Sequence, residues 1–139
     1  MLSVNSYPHE YVEKCRAKIA RQTSAYEKLS AGASGTPAES ALAEFEPLFF
    51  NHMVLALDHY FLHRARGIAG KDGNPLNEVR VLCDSLMEND GKLAANKTIK
   101  LDPAKSLLQY GAGDEIAIDE ANFNLLSKAF LDKIESKYP

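Results

Sequence analysis

The sequence predicts an all-α domain, a four-helix bundle with a long central second helix and a small two-stranded β-ribbon between its third and fourth helices. Three observations carry this expectation. Apolar residues recur three and four apart along four separate stretches, which places them on one face of a helix. Proline, glycine and capping residues punctuate the gaps at Gly35-Thr36-Pro37, Gly73-Asn74-Pro75 and Asn89-Asp90-Gly91. Between Leu93 and Ile118 the helical period gives way to alternation, in Thr98-Ile99-Lys100-Leu101 and again in Glu115-Ile116-Ala117-Ile118, as in paired strands.

The first helix is expected over about 8–30, with Val12, Cys15, Ile19, Tyr26 and Leu29 as its apolar seam. The small residues Ser30 to Gly35 make a short link suited to an antiparallel turn. Thr36-Pro37-Ala38-Glu39 then offers a hydroxyl cap, a proline at the first helical position and a Glu placed to close a capping box.

The second helix is expected over 37–69. With Phe61 on one meridian, Phe50, Val54, Leu57, Ala65 and Ile68 fall within roughly 40° of it, a core-facing stripe. The opposite meridian ought to be polar, yet it mixes His52, His59, His63 and Arg66 with Phe45, Leu48 and Phe49. A helix that is apolar on nearly every side is surrounded, by its own domain or by a second subunit. Pro47 predicts a kink or break near Glu46.

Asn74 and Pro75 cap a third helix over 75–89, whose stripe is Leu76, Val79, Leu82, Cys83, Leu86 and Met87. Residues 93–118 form the irregular segment with the ribbon, and Asp119 starts the fourth helix, 120–137, on Phe123, Leu126, Phe130 and Ile134.

Composition narrows the function classes. The 139 residues suffice for one domain, 1–139, with a core that needs no staples. A net charge of −3, with both signs dispersed, supplies no basic field for nucleic acid or anionic lipid. The opening MLSVNSYPHEY lacks the cationic and apolar regions of a leader, and Asn51 and His52 interrupt the most apolar run, so a cytoplasmic protein is expected. Cys15 and Cys83 each fall on an apolar stripe and read as reduced core residues.

The chemistry-bearing residues concentrate on the second helix. His59 and His63, four apart, stand about 6 Å from one another on one helix face and can chelate a divalent transition metal such as zinc. His52 lies two turns away, so a third ligand has to come from another helix, for instance His9, Glu10 or an acid of helix four. Tyr60 stands where a hydrolytic zinc helix carries its Glu, which argues against that reaction class. The competing reading makes Phe45, Leu48, Phe49, His52, His59, His63 and Arg66 a homodimer face, aromatic and His/Arg-rich as interface cores often are. Lys71 beside the Asn74 helix start is a candidate anion site, without the GxxxxGK[ST] pattern of a phosphate loop.

The stretches FFNHMVLALDHYFLHR, GKDGNPLNEVRVLCDSL and GDEIAIDEANF resemble an uncharacterised family of small bacterial helical proteins. That resemblance implies a bacterial, cytosolic source and no assigned activity, so no catalytic residue is carried over. The expected function is that of a self-associating, non-enzymatic interaction protein without a cofactor. The alternative is a metal-dependent or small-molecule-binding enzyme built on His59 and His63.

Overall fold

A computed structural model of the chain describes residues 8–61, 73–95, 99 and 101–137. Its helices are α1 (His9–Ala33), α2 (Ala38–His59), α3 (Pro75–Glu88) and α4 (Glu120–Lys137). Each forms where its apolar period finds a neighbour. Val12, Cys15, Ile19 and Tyr26 of α1 are buried, and Thr23 continues the row by returning its hydroxyl to the Ile19 and Ala20 carbonyls. Leu29 leaves the seam and is 56 % exposed, because Ala33, two turns beyond Tyr26, takes the buried position.

The α1–α2 turn closes by reciprocal capping. Thr36 Oγ1 accepts from the Ala38 N–H at 3.3 Å, and the Glu39 carboxylate reaches back to the Gly35 N–H at 3.0 Å, with Gly35 at φ +76°. Pro47 produces no break, and the chain stays helical from Ala38 to His59. The carbonyl it orphans belongs to Ala43, an exposed residue where water can take the bond. The helix closes where Tyr60 N–H bonds the Ala56 carbonyl and Phe61 N–H bonds the Asp58 carbonyl in a tightened last turn. The remainder of the expected helix, with His63 and Arg66, lies outside the described residues, as does Lys71 in the turn after it.

α2 and α4 form the middle of the bundle. Phe50 meets Phe123 at 5.5 Å between ring centroids, and Phe61 meets Phe130 at 5.6 Å, so the two run parallel. α1 is antiparallel to both: Tyr11 meets Phe61 just past α2, Tyr26 meets Phe50 within it, and Arg16 reaches Asp132 and Glu135 near the end of α4. α3 packs on α2 and α4 as well. Phe50, Val54, Leu57, Phe123, Leu126 and Ile134 are fully buried, and the aromatic contacts join three helices into one core.

α3 starts at Asn74, whose side chain accepts from the Leu76 and Asn77 N–H groups, with Pro75 at the first helical position. It is buried on two faces. Leu76, Val79 and Leu82 meet the core, while Glu78, Val81 and Ser85 are covered by the chain that follows. Met87, on the expected stripe, is instead 71 % exposed on the last turn.

The β-ribbon is not formed. Among the described residues the only strand-like pairing is an isolated antiparallel bridge between Lys92 and Glu115, in which the Leu93 N–H donates to the Asp114 carbonyl and the Ile116 N–H donates to the Gly91 carbonyl. The alternation at 115–118 is physical, since Ile116 and Ile118 are buried and Ala117 is exposed. Beyond the Ile116–Gly91 bond, however, the partners of its backbone are side chains. Asn51 Nδ2 donates to the Ile116 carbonyl at 2.9 Å, Ile118 N–H donates to Asn51 Oδ1 at 3.1 Å, and Ala117 N–H donates to the Tyr110 hydroxyl at 3.0 Å. An extended segment whose peptide groups are satisfied this way needs no second strand. Thr98 and Lys100 of the other expected strand lie outside the described residues.

Candidate functional site

The outer meridian of α2 gathers most of the residues that the sequence singles out. Phe45 and Leu48 are 44 % and 61 % exposed, His52 and His59 are exposed, and Phe49 is half-buried. The aromatic members are ordered. Phe45 stacks on Phe49 at 5.7 Å, and Phe49 stacks on Tyr26 of α1 at 5.8 Å with their planes 9° apart. This row extends from the core to the surface along the α1–α2 seam. His52 Nδ1 donates to the Leu48 carbonyl one turn back at 2.7 Å, so its ring is tied to its own helix. No hydroxyl, thiol or second base is bonded to either histidine among the described residues.

His59 stands alone of its expected pair within the described residues, as His63 lies outside them. Among the described residues the one His/acid group close enough to share an ion is His9, Glu13 and Glu135, which includes no histidine of α2. Arg16 already occupies that cluster. It places Nε 3.6 Å from Glu13 and two nitrogens 3.0 and 2.7 Å from Glu135, and it adds Asp132 at 2.9 Å. A guanidinium among the carboxylates supplies the positive charge that an ion would bring. The cluster therefore reads as the polar clamp between α1 and α4. Lys128 and Arg16 both hydrogen-bond Asp132 and hold its carboxyl below its ordinary range.

A second group of acids sits at the other end of these helices. The Glu46 carboxylate accepts from the Glu120 N–H at 3.1 Å, at the start of α4. Burial raises the Glu120 pKa, and hydrogen bonding to Glu27 and the charges of Glu27, Glu46 and Asp119 raise it further. Burial, then Glu46, raises Tyr26 in the same region. At the third candidate, Asn74 itself fills the start of α3 by accepting two of its amides, while Lys71 is outside the described residues.

Two residues stand out in the structure that the sequence reading passed over. Asn51 lies in the apolar run of α2 and binds the 116–118 backbone. Glu78 is 2 % exposed and accepts the Leu107 and Leu108 N–H groups, each at 2.9 Å. Burial raises its pKa, opposed by those two bonds. A signal for Glu78 exists in the sequence: Glu78, Val81 and Ser85 recur at i, i+3 and i+7, a second helical face beside the apolar one.

Cys15 and Cys83 are buried and belong to no disulfide. Burial raises the Cys15 thiol, which suits a packing role and opposes thiolate chemistry. No described helix is long and apolar enough to cross a membrane. No family model matches this chain, and neither a curated protein nor a solved structure matches it.

Proposed function

We propose that this chain is a cytoplasmic, non-enzymatic interaction protein that pairs with a second copy of itself through the outer face of α2. The observation that carries the reading is the exposure of Leu48 and Phe45 on a helix whose opposite meridian, Phe50, Val54 and Leu57, is completely buried. Large apolar side chains on adjacent turns, extended inward by the Phe49–Tyr26 stack, make a preorganised aromatic anchor flanked by His52 and His59. Two such faces pack on each other about a two-fold axis, each supplying the same residues to the contact.

Sedimentation velocity on the intact chain and on Leu48→Glu tests this. A dimer at micromolar concentration that Leu48→Glu converts to monomer, with the helical circular dichroism unchanged, is expected. Wild-type protein that stays monomeric up to about 200 µM, beyond the working range of a specific homodimer, ends the reading.

A further inference from the structure

Between α3 and the chain that follows it lies a recess of about 400 Å³. Val81, Leu93 and Ile99 make its buried floor, and Pro103, Tyr110 and Ala112 stand on its wall and rim. Apolar space inside a small protein normally collapses to close packing. Here the walls are pinned by polar bonds that do not depend on the recess being filled. Ser85 Oγ donates to the Val81 carbonyl and accepts from the Ala94 N–H, fixing one wall to α3. The Glu78 carboxylate fixes the opposite wall through the Leu107 and Leu108 amides, and the Leu93 peptide is held by Gly113 and Asp114. The cavity is therefore a consequence of the frame, and its lining is available to a guest.

We propose that this recess binds a small, neutral, apolar molecule that carries one hydrogen-bond acceptor. Neutrality follows from the described lining residues, none of which carries a charged side chain, so an ionised group set against them would lose its hydration without compensation. Size follows from volume: a cavity of about 150 Å³ accommodates benzene, so this one takes about ten to fifteen non-hydrogen atoms. The acceptor follows from Tyr110, the one polar side chain among the described lining residues. Its hydroxyl oxygen accepts from Ala117 N–H, and its own proton has no protein acceptor among the described residues. A ketone, ester or alcohol oxygen at the wall would take that proton. Aliphatic and aromatic bodies both suit walls of valine, leucine, isoleucine and alanine.

The test is calorimetric titration of the full chain with 2-acetylnaphthalene, which has the acceptor, and with 2-ethylnaphthalene, which lacks it. One molecule of each per chain is expected, with a Kd of about 100 µM or tighter for the ketone, as ligand efficiency gives a molecule of this size. Ala112→Trp and Ala95→Trp, substitutions at exposed lining positions, each fill the recess and weaken both molecules at least tenfold, while thermal unfolding reports that the fold is retained. Tyr110→Phe weakens the ketone about fivefold and leaves the hydrocarbon unchanged, the effect of one neutral hydrogen bond. Absence of saturable binding, or binding that neither tryptophan alters, overturns the site. Equal weakening of both molecules by Tyr110→Phe overturns the assigned role of its hydroxyl.

Discussion

Asn51 holds the peptide of Ile118 as a neighbouring strand would, its amide accepting the Ile118 N–H at 3.1 Å while donating to the Ile116 carbonyl at 2.9 Å. One planar side-chain amide thus replaces the pair of bonds that an extended residue exchanges across an antiparallel ladder. It also couples α2 to the lead-in of α4, because the segment it holds, with Ile116 and Ile118 buried, runs directly into that helix.

Asn51→Leu keeps the volume and removes both bonds, leaving a part-buried donor and acceptor unmade. Urea unfolding is expected to show a loss of about 2–3 kcal/mol. Asn51→Asp keeps an acceptor for Ile118 but sets a carboxylate against the Ile116 carbonyl, and it is expected to cost at least as much at neutral pH. A loss below about 0.5 kcal/mol for both variants would mean that water serves this backbone equally well.

The same relationship explains what was legible in the sequence. The helical faces were, because burying Phe50, Val54 and Leu57, or Leu76, Val79 and Leu82, depends on a period carried by neighbouring residues. The in-and-out alternation of Ile116, Ala117 and Ile118 was legible for the same reason. The partner of that segment was not, since period two says which side chains are buried and nothing about what satisfies the peptides between them. Here one bond goes to the Gly91 carbonyl and the others to Asn51 and Tyr110, and the ribbon gives way to a segment braced mainly by side chains. Glu78 was obscured similarly: its ligands, the Leu107 and Leu108 amides, are about thirty residues away, and a charged residue on a helix reads first as solvent-facing. On the outer face of α2, the missing polar meridian left open whether Phe45 and Leu48 are covered by the rest of this chain, and the structure exposes both.

Glu78 gives the fold an acid-side contribution to stability. Its folded pKa is raised above the ordinary glutamate value, so the folded state holds the proton more tightly than the unfolded chain. That contribution is fully present below the unfolded pKa, about 4.3, and is lost as pH rises through the raised folded value. Glu78→Gln, which cannot ionise and can still accept from an amide, is expected to flatten this part of the stability curve. Chemical unfolding at intervals from pH 4 to pH 8 measures it. A wild-type-minus-variant difference that does not vary with pH would assign Glu78 the pKa of an exposed glutamate.

The Arg16 clamp works in the opposite sense. Asp132 is held below its ordinary pKa by Lys128 and Arg16, so its contribution is present above the unfolded value and fades as pH falls through the lowered folded one. Arg16 is 27 % exposed and bonds two carboxylates, whereas Asp132 is 51 % exposed, so solvent screens much of the attraction. Arg16→Ala is expected to cost about 1 kcal/mol at low salt, part of it lost packing of the stem, and less in 1 M NaCl. Unfolding at both salt concentrations, with Arg16→Lys alongside, separates charge from the fork geometry that lets one side chain serve Asp132 and Glu135 together.

Phe45 and Phe50 belong to one helix and lie about 140° apart around it, so equal truncations should report on different properties. Phe50 is 0 % exposed and touches the rings of Tyr26, Phe49 and Phe123, three helices meeting at one side chain. Phe50→Ala is expected to cost about 3–5 kcal/mol, from lost burial together with a cavity that rigid aromatic neighbours cannot close. Pairing it with Phe123→Ala in a double-mutant cycle should return a coupling of about 0.5–1.5 kcal/mol for the ring contact. Phe45, at 44 % exposed and stacked only on Phe49 among the described residues, has little burial to lose in the monomer. Measured at a protein concentration where the chain is monomeric, Phe45→Ala should change stability by no more than about 0.5–1 kcal/mol. At higher concentration the order of importance reverses, because Phe45→Ala weakens self-association while the folded Phe50→Leu variant retains it. Were Phe45→Ala to destabilise the dilute monomer as strongly as Phe50→Ala, the ring would belong to the core of one chain, and the outer face of α2 would lose its claim to a partner.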